Sequence, residues 1–98
     1  MTVEPAISEY LLDIIHATRN STDLHVGAST RGALCLYRAS RAMALVEGRD
    51  YVVPDDVKRL AMPVLSHRVI PKGYWHGGQR QAVEALIQRI IDGVPAPG

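Results

Sequence analysis

A long alanine-rich stretch from Thr30 to Glu47 constrains the fold of this chain more than any other feature of its sequence. Ser29 precedes the stretch and suits the N-cap position, because its hydroxyl can accept a hydrogen bond from a first-turn N–H group. Gly48 follows it and provides a helix stop. Apolar side chains occur on nearly every face between these ends, which is typical of a helix with several neighbours. The sequence therefore predicts a long helix at the centre of a helical domain.

Three further segments have apolar residues at helical spacing, from about Pro5 to Arg19, from about Pro54 to Arg68 and from about Gln79 to Asp92. The first carries an apolar stripe of Ile7, Leu11, Ile14, Ile15 and Thr18, and the last carries one of Val83, Leu86, Ile87, Ile90 and Ile91. Pro63 lies inside the third segment and predicts a kink or a split into two helices, because proline removes a backbone donor.

Two short extended segments, Leu24–Val26 and Tyr51–Val53, flank the long helix, and we predict that they pair. The chain has 98 residues and is 47% hydrophobic but only 5% aromatic, which favours closely packed helices over a sheet. The predicted fold is all-α, a small bundle of four helices or of five if Pro63 splits one, with at most this one strand pairing. We expect a single domain over residues 1–98, with flexible ends at 1–6 and 94–98.

The overall composition excludes several classes of protein. A net charge of +1 argues against a dedicated nucleic-acid binder, which would carry a strong basic excess. A single cysteine, Cys35, rules out an internal disulfide, fits a reducing compartment and is expected to be a small buried apolar residue. No apolar run approaches the length of a membrane span. We therefore predict a cytoplasmic protein without a membrane partner.

The sequence has no self-contained active site. It lacks the glycine-rich phosphate loop with its lysine, so the chain is not expected to bind and hydrolyse a nucleotide alone. Its four histidines are far apart and none has metal-ligand spacing, so no metal site is predicted. Asp55 and Asp56 are explained by their place in a first helical turn, where acidic side chains are favoured.

Arg31 is an unusual residue for the start of the long helix. A helix N-terminus carries a partial positive charge and unpaired N–H groups, so it favours carboxylates and disfavours arginine. Helix N-termini bind phosphates and arginine binds them bidentately, so Arg31 is a candidate phosphate ligand. The alternative is a solvated helix-end charge of small energetic effect.

Four ordered motifs resemble the C-terminal helical lid of the MoxR family of AAA+ ATPases. They are Tyr10–Arg19, Gly27–Gly32, Gly48–Val57 and Val64–Arg68, and the stretch that contains them, from Tyr10 to Arg68, is about 60% of the chain. The family commonly has proline at the position of Thr30 and alanine at that of Gly32, and both departures are expected to loosen the first turn.

This resemblance implies a role for the chain as part of an ATPase, and not as an enzyme by itself. Arg31 corresponds to the sensor-2 arginine, and Ser29, Thr30 and Arg31 are the residues expected at the phosphates of ATP. ATP and Mg²⁺ would then be cofactors of the full-length protein, with none expected for this chain alone. The implied partners are an AAA+ core, neighbouring subunits of a ring and proteins with von Willebrand factor A domains, in chaperone-like remodelling.

A lid without its core is also expected to expose an apolar docking surface. The candidate surface comprises one face of the first helix, with Tyr10, Leu11 and Ile14, and exposed parts of the long helix. Two other interpretations remain open at this stage. A histone-like fold would bring Arg31, Arg38 and Arg41 to DNA phosphates. A helical interaction module would dock a protein through the Tyr74–His76 loop, since tryptophan and tyrosine anchor interfaces well.

Overall fold

Four helices and one short antiparallel strand pair make up the part of the chain that the computed structural model describes, which is residues 3–22, 24–71 and 80–97. The helices are α1 (Pro5–Arg19), α2 (Thr30–Val46), α3 (Pro54–Leu65) and α4 (Arg80–Asp92), and the strands are β1 (Leu24–Val26) and β2 (Ile70–Pro71). The all-α bundle that the sequence predicts is confirmed. The Tyr74–His76 loop lies outside the described residues.

The inward faces of α1 and α4 supply about half of the buried apolar residues of the described core. All five predicted stripe residues of α1 are buried, and Tyr10 joins them. In α4 the residues Val83, Leu86, Ile87 and Ile91 are buried, and Ile90 packs partly buried against the same cluster. The spacing of apolar residues was therefore a reliable guide to which side of these two helices faces inward.

The prediction that α2 is central was wrong. Its buried residues form one stripe at intervals of four, comprising Gly32, Leu36, Ser40 and Ala44. Leu34, Leu45 and Val46 are 46%, 69% and 83% exposed. Ala33 and Tyr37 pack partly buried against the core, but the exposed apolar residues are not covered by a neighbouring helix within the described bundle, and a large part of α2 faces outward.

Pro63 neither splits α3 nor adds a fifth helix. The helix continues through Pro63 and ends at Leu65, earlier than the predicted end near Arg68. A proline near the C-terminal end of a helix removes only one of its last backbone hydrogen bonds, so the helix can end soon after it without breaking.

The short strand β1 pairs with β2, and not with Tyr51–Val53 as predicted. The pairing is antiparallel, with Leu24 opposite Pro71 and Val26 opposite Ile70. The reason is the length of α2, which at 17 residues extends for roughly 25 Å between β1 and Tyr51. α3 runs back along α2, so that Leu65 lies beside Gly32 and the chain after α3 returns to β1.

Parts of the two chain ends that were predicted to be flexible are described by the structure. Pro5 and Ala6, inside the segment predicted to be flexible, already belong to α1. Residues 95–97 lie against α1, where they line a shallow hollow with Glu9 and Asp13. None of the helices in the described ranges is long and apolar enough to cross a membrane.

We expect Ser40→Ala to stabilise the domain. Ser40 is buried in α2 and its hydroxyl has no hydrogen-bond partner among the described residues. An unsatisfied buried hydroxyl is unfavourable and alanine is the better helix former, so the free energy of unfolding should rise by about 1 kcal/mol. Urea denaturation of the two proteins measures the change. A decrease in stability would show that the hydroxyl has a partner in the folded state, and Ser40→Thr, which adds a methyl group to the same packed site, serves as the destabilised control.

Candidate functional site

The N-terminus of α2 is the site at which the sequence places Arg31. The Ser29 hydroxyl accepts a hydrogen bond from the Gly32 N–H at 3.4 Å, and the Ser29 carbonyl accepts one from Ala33 at 3.1 Å. Ser29 is therefore the predicted N-cap. Ser29, Thr30 and Arg31 are all exposed. The N-terminal end of α2, which carries a partial positive charge, is therefore accessible from outside the domain, as is the Arg31 side chain.

The turn that leads into α2 is fixed to the end of α1. The Arg19 Nε atom donates a hydrogen bond of 2.7 Å to the Ala28 carbonyl. The Thr18 hydroxyl donates to the Ile15 carbonyl and accepts from the Ala28 N–H at 3.0 Å. A Cβ atom at Gly27 would lie 2.6 Å from the Arg19 backbone, so this position requires glycine. These contacts hold the start of α2 in place, and therefore hold Arg31.

Arg19 and Thr18 are positioning residues that the sequence analysis did not identify. In the sequence, Arg19 is only the last residue of the first helical segment, and Thr18 belongs to its apolar stripe. Their bonds to Ala28 join residues nine and ten positions apart. The one signal in the sequence was Gly27, because glycine is used where two backbone segments approach closely, as they do here at Arg19.

The first turn of α2 forms despite the two departures from the family pattern. Thr30 is its first residue and Gly32 is buried within it. A Cβ atom at Gly32 would find its nearest neighbours, in Leu65 and Arg68, at 3.5 Å, an ordinary contact distance. Alanine would therefore fit at Gly32. The aliphatic part of Arg68 lies beside this turn, so a second arginine is close to the N-terminus of α2.

Arg31, Arg38 and Arg41 lie along the exposed side of α2, as their spacing predicts. None of them forms an ion pair with a carboxylate of the described residues, and α2 itself contains no acidic residue. The Arg41 guanidinium lies 5.5 Å from the centre of the Tyr37 ring. Arg38 is seven residues from Arg31, which is roughly 10 Å along the helix. The exposed side of α2 is therefore basic over most of its length.

An apolar hollow of about 280 Å³ lies between α1 and α2, and Thr30 is part of its lining. Its walls are almost entirely carbon and comprise Ser8, Leu11, Leu12, Thr30, Ala33, Leu34 and Tyr37. An exposed apolar surface is therefore present, and it coincides only in part with the predicted residues. Exposed apolar residues do lie on α2, but Tyr10, Leu11 and Ile14 are buried in the core, and the exposed large apolar residue of α1 is Leu12. The prediction for the first helix was wrong because Tyr10, Leu11 and Ile14 belong to the face of α1 that packs into the core.

A second polar cluster, the Arg49–Asp56 clasp, joins the end of α2 to the start of α3. Arg49 donates two hydrogen bonds of 2.7 Å to the Asp56 carboxylate, one of 2.7 Å to Glu47 and one of 3.1 Å to the Tyr51 carbonyl. Asp56 also accepts from the Val53 N–H at 2.9 Å, as a first-turn carboxylate can. The Arg49 guanidinium holds the pKa of Asp56, and also that of Glu47, below the usual range.

The clasp is a structural feature. Arg49 pairs with Asp56, seven residues further along the chain, and the Asp56 side chain is only 1% exposed. No three His, Cys, Asp or Glu side chains of the described ranges lie close enough together to hold a metal ion. Cys35, predicted to be buried, is partly exposed.

Comparisons with known proteins agree on one family. The family model described as "AAA lid domain" matches residues 16–90. An uncharacterized Bacillus subtilis protein, YeaC, is 36% identical over 96 residues, which cover 96% of this chain and 29% of YeaC. Protein MoxR of Methylorubrum extorquens is 41% identical over 71 residues, which cover 72% of this chain and 21% of that protein.

Two further matches extend this similarity. Chaperone MoxR1 of Mycobacterium tuberculosis is 34% identical over 97% of this chain and 27% of its own length. The crystal structure of a candidate ATPase from Cytophaga hutchinsonii superposes with a TM-score of 0.82 at 28% identity, over 99% of this chain and 32% of that one. The chain therefore spans less than a third of the length of each of these relatives.

Proposed function

The chain belongs to the AAA lid domain family, as the C-terminal lid of a MoxR-family AAA+ ATPase, and from this membership we propose that it brings Arg31 to the phosphates of ATP bound to an AAA+ core. The observation that carries the proposal is the position of Arg31, which is exposed at the N-terminus of α2 and paired with no described carboxylate. An anion at this position would meet both the guanidinium and the positive end of the helix.

The chemistry of the proposal follows from the donors at this end of α2. The Arg31 guanidinium donates hydrogen bonds to phosphate oxygens and opposes the negative charge that develops during phosphoryl transfer. First-turn N–H groups, with Ser29 and Thr30 beside them, favour the same anion. The first turn of α2 contains no acidic residue that could bind Mg²⁺, so we assign Mg²⁺ to the core together with the phosphate loop.

The apolar hollow between α1 and α2, whose lining includes Thr30, supports the second part of the proposal, which is that the lid docks on its core through these two helices. Leu12 and Leu34 are exposed at this hollow, adjacent to the residues assigned to the phosphates. A change of nucleotide at Arg31 is thereby coupled to movement of the lid. This coupling fits a chaperone-like remodelling ATPase that forms a ring in the cytoplasm, with von Willebrand factor A proteins as the expected partners.

We expect the chain alone to show no tight binding of ATP. The lid presents Arg31 at a helix N-terminus, with Arg68 close to the same turn, but it has no phosphate loop, so most of the contacts that hold the nucleotide are missing. Titration calorimetry with ATP and Mg²⁺ tests this, with the full-length ATPase that carries this lid as the positive control. A low-micromolar dissociation constant for the chain alone would contradict the proposal, because the lid would then contain a complete nucleotide site.

A further inference from the structure

The C-terminal half of α2 carries a second exposed surface, the basic patch, which we define as Arg38, Arg41, Ala42, Leu45 and Val46. The first four of these residues and Asp50 line a shallow hollow of about 370 Å³. Leu45 and Val46 are 69% and 83% exposed, the highest values among the exposed large apolar residues of the described chain. Because Arg38 is roughly 10 Å along the helix from Arg31, the patch is separate from the residues assigned to the nucleotide.

We propose that the basic patch binds a protein segment that places an apolar side chain in this hollow and pairs its carboxylates with Arg38 and Arg41. The segment belongs to a partner of the ATPase, and the proposal is independent of the role of Arg31. It assigns a function to an exposed side of α2 that contributes nothing to the core of the lid.

The charges of the patch indicate an acidic partner. Arg38 and Arg41 are three residues apart on one helix, at which spacing like charges repel each other. Neither forms an ion pair with a described carboxylate, and α2 offers no acidic residue to compensate them. The Tyr37 ring lies against the Arg41 guanidinium, 5.5 Å away, which restrains that side chain before a partner arrives. Two carboxylates about one helical turn apart would match the pair.

The position of Asp50 predicts how charge is distributed along the bound segment. Asp50 is exposed and lies at the edge of the same hollow. A carboxylate placed there would be repelled, whereas a lysine or arginine would be attracted. The segment should therefore be acidic beside Arg38 and Arg41 and neutral or basic beside Asp50.

The apolar residues of the patch indicate a protein and not a nucleic acid. Covering Leu45, Val46 and Ala42 with apolar side chains lowers the free energy of the complex, whereas a phosphate backbone over the same residues would stabilise it little. The chain has a net charge of only +1, whereas nucleic-acid binders carry a marked basic excess. Exposed apolar groups together with arginine are typical of protein interfaces.

Selection of peptides from a random displayed library on the full-length protein tests the proposal. We expect the enriched peptides to contain Asp or Glu beside Leu, Ile or Phe. The affinity of the best peptide, measured by fluorescence anisotropy, should fall by at least about tenfold for the double variant Arg38→Glu/Arg41→Glu and should weaken as salt is raised. Arg89→Glu on α4, an exposed arginine outside the patch, is the matched control and should change affinity less than about twofold.

Several outcomes would overturn the proposal. They are no enrichment, enrichment of peptides without acidic residues, or equal binding of the peptide to the double variant. Concentration-dependent self-association that Arg38→Glu/Arg41→Glu abolishes would assign the patch to a second copy of the chain. Tight binding of duplex DNA that the same variant abolishes would assign it to nucleic acid. The ATPase activity of Arg31→Ala is a separate readout, so failure here and failure of the proposed function are distinguishable.

Discussion

Asp56→Ala is expected to lower the free energy of unfolding by about 2 kcal/mol, the largest stability effect of a single substitution considered for this domain. The substitution removes the carboxylate that accepts two 2.7 Å hydrogen bonds from Arg49 and one from the Val53 N–H. The Asp56 side chain is 1% exposed, so water cannot readily replace these bonds. The clasp between the end of α2 and the start of α3 would lose its central acceptor.

Urea denaturation measures this loss, with Asp55→Ala as the control. Asp55 is the neighbouring acidic residue of the same first turn, but it is exposed, so its removal should affect only the helix dipole and cost well under about 1 kcal/mol. Equal effects of the two substitutions would show that the Arg49–Asp56 clasp contributes nothing beyond a first-turn charge.

The pH dependence of the free energy of unfolding, compared between wild type and Asp56→Ala, gives the sign of the electrostatic effect. Hydrogen bonds from Arg49 lower the folded-state pKa of Asp56, so the native state favours the ionised carboxylate more than the unfolded chain does. Stability from this group is therefore present above the unfolded pKa, which is about 4, and is lost as pH falls through the folded value. The difference in stability between wild type and Asp56→Ala should accordingly shrink in acid and stay constant near neutral pH.

Local patterns in the sequence were sufficient to locate the four helices, although α3 ends at Leu65 and not near Arg68 as predicted. In α1 and α4 the apolar spacing located the buried stripes, and at Ser29 and Gly48 the capping rules located the ends of α2. Gly48 has the positive φ of 78° that makes glycine suitable for a helix stop. These features depend on interactions between residues close in the chain, which a sequence displays directly.

Contacts between distant elements could not be predicted in the same way. Nothing in Leu24–Val26 indicates whether it pairs with Tyr51–Val53 or with Ile70–Pro71, because that choice follows from the length of α2 and the return path of α3. The apolar residues on the outer side of α2 look the same in a sequence whether a neighbouring helix or an absent partner covers them. Arg49 likewise had a nearer candidate partner, Asp50, than Asp56.

The sequence predicted where Arg31 lies, but it did not predict the hydrogen bonds that hold the preceding turn in place. Arg31 was identified because it conflicts with the electrostatics of its own helix, and the structure places it exposed at that helix end. Arg19 and Thr18 hold the preceding turn through bonds to Ala28, and the sequence shows neither bond. The role of Arg31 itself stays a prediction, since it depends on a core that this chain does not include.

Arg31→Ala is expected to have the largest functional effect. In the full-length ATPase that carries this lid, the substitution should lower turnover by about 10- to 1,000-fold, because an arginine that opposes charge on a transferring phosphoryl group can contribute at least that much. Within the lid, Arg31 is exposed, has no described ion-pair partner and is disfavoured by the dipole of α2. Its removal should therefore leave the melting temperature unchanged or slightly raised. Arg89→Ala, which removes an exposed arginine of α4, should change neither property.

The most direct test is the steady-state ATPase rate of Arg31→Ala in that full-length protein, measured beside the thermal melt of the same preparation. A rate reduced at least about tenfold with an unchanged melting temperature is the result expected of an arginine that acts on the nucleotide phosphates. A rate equal to that of the wild type and of Arg89→Ala would contradict this role and make Arg31 a solvated charge at a helix end.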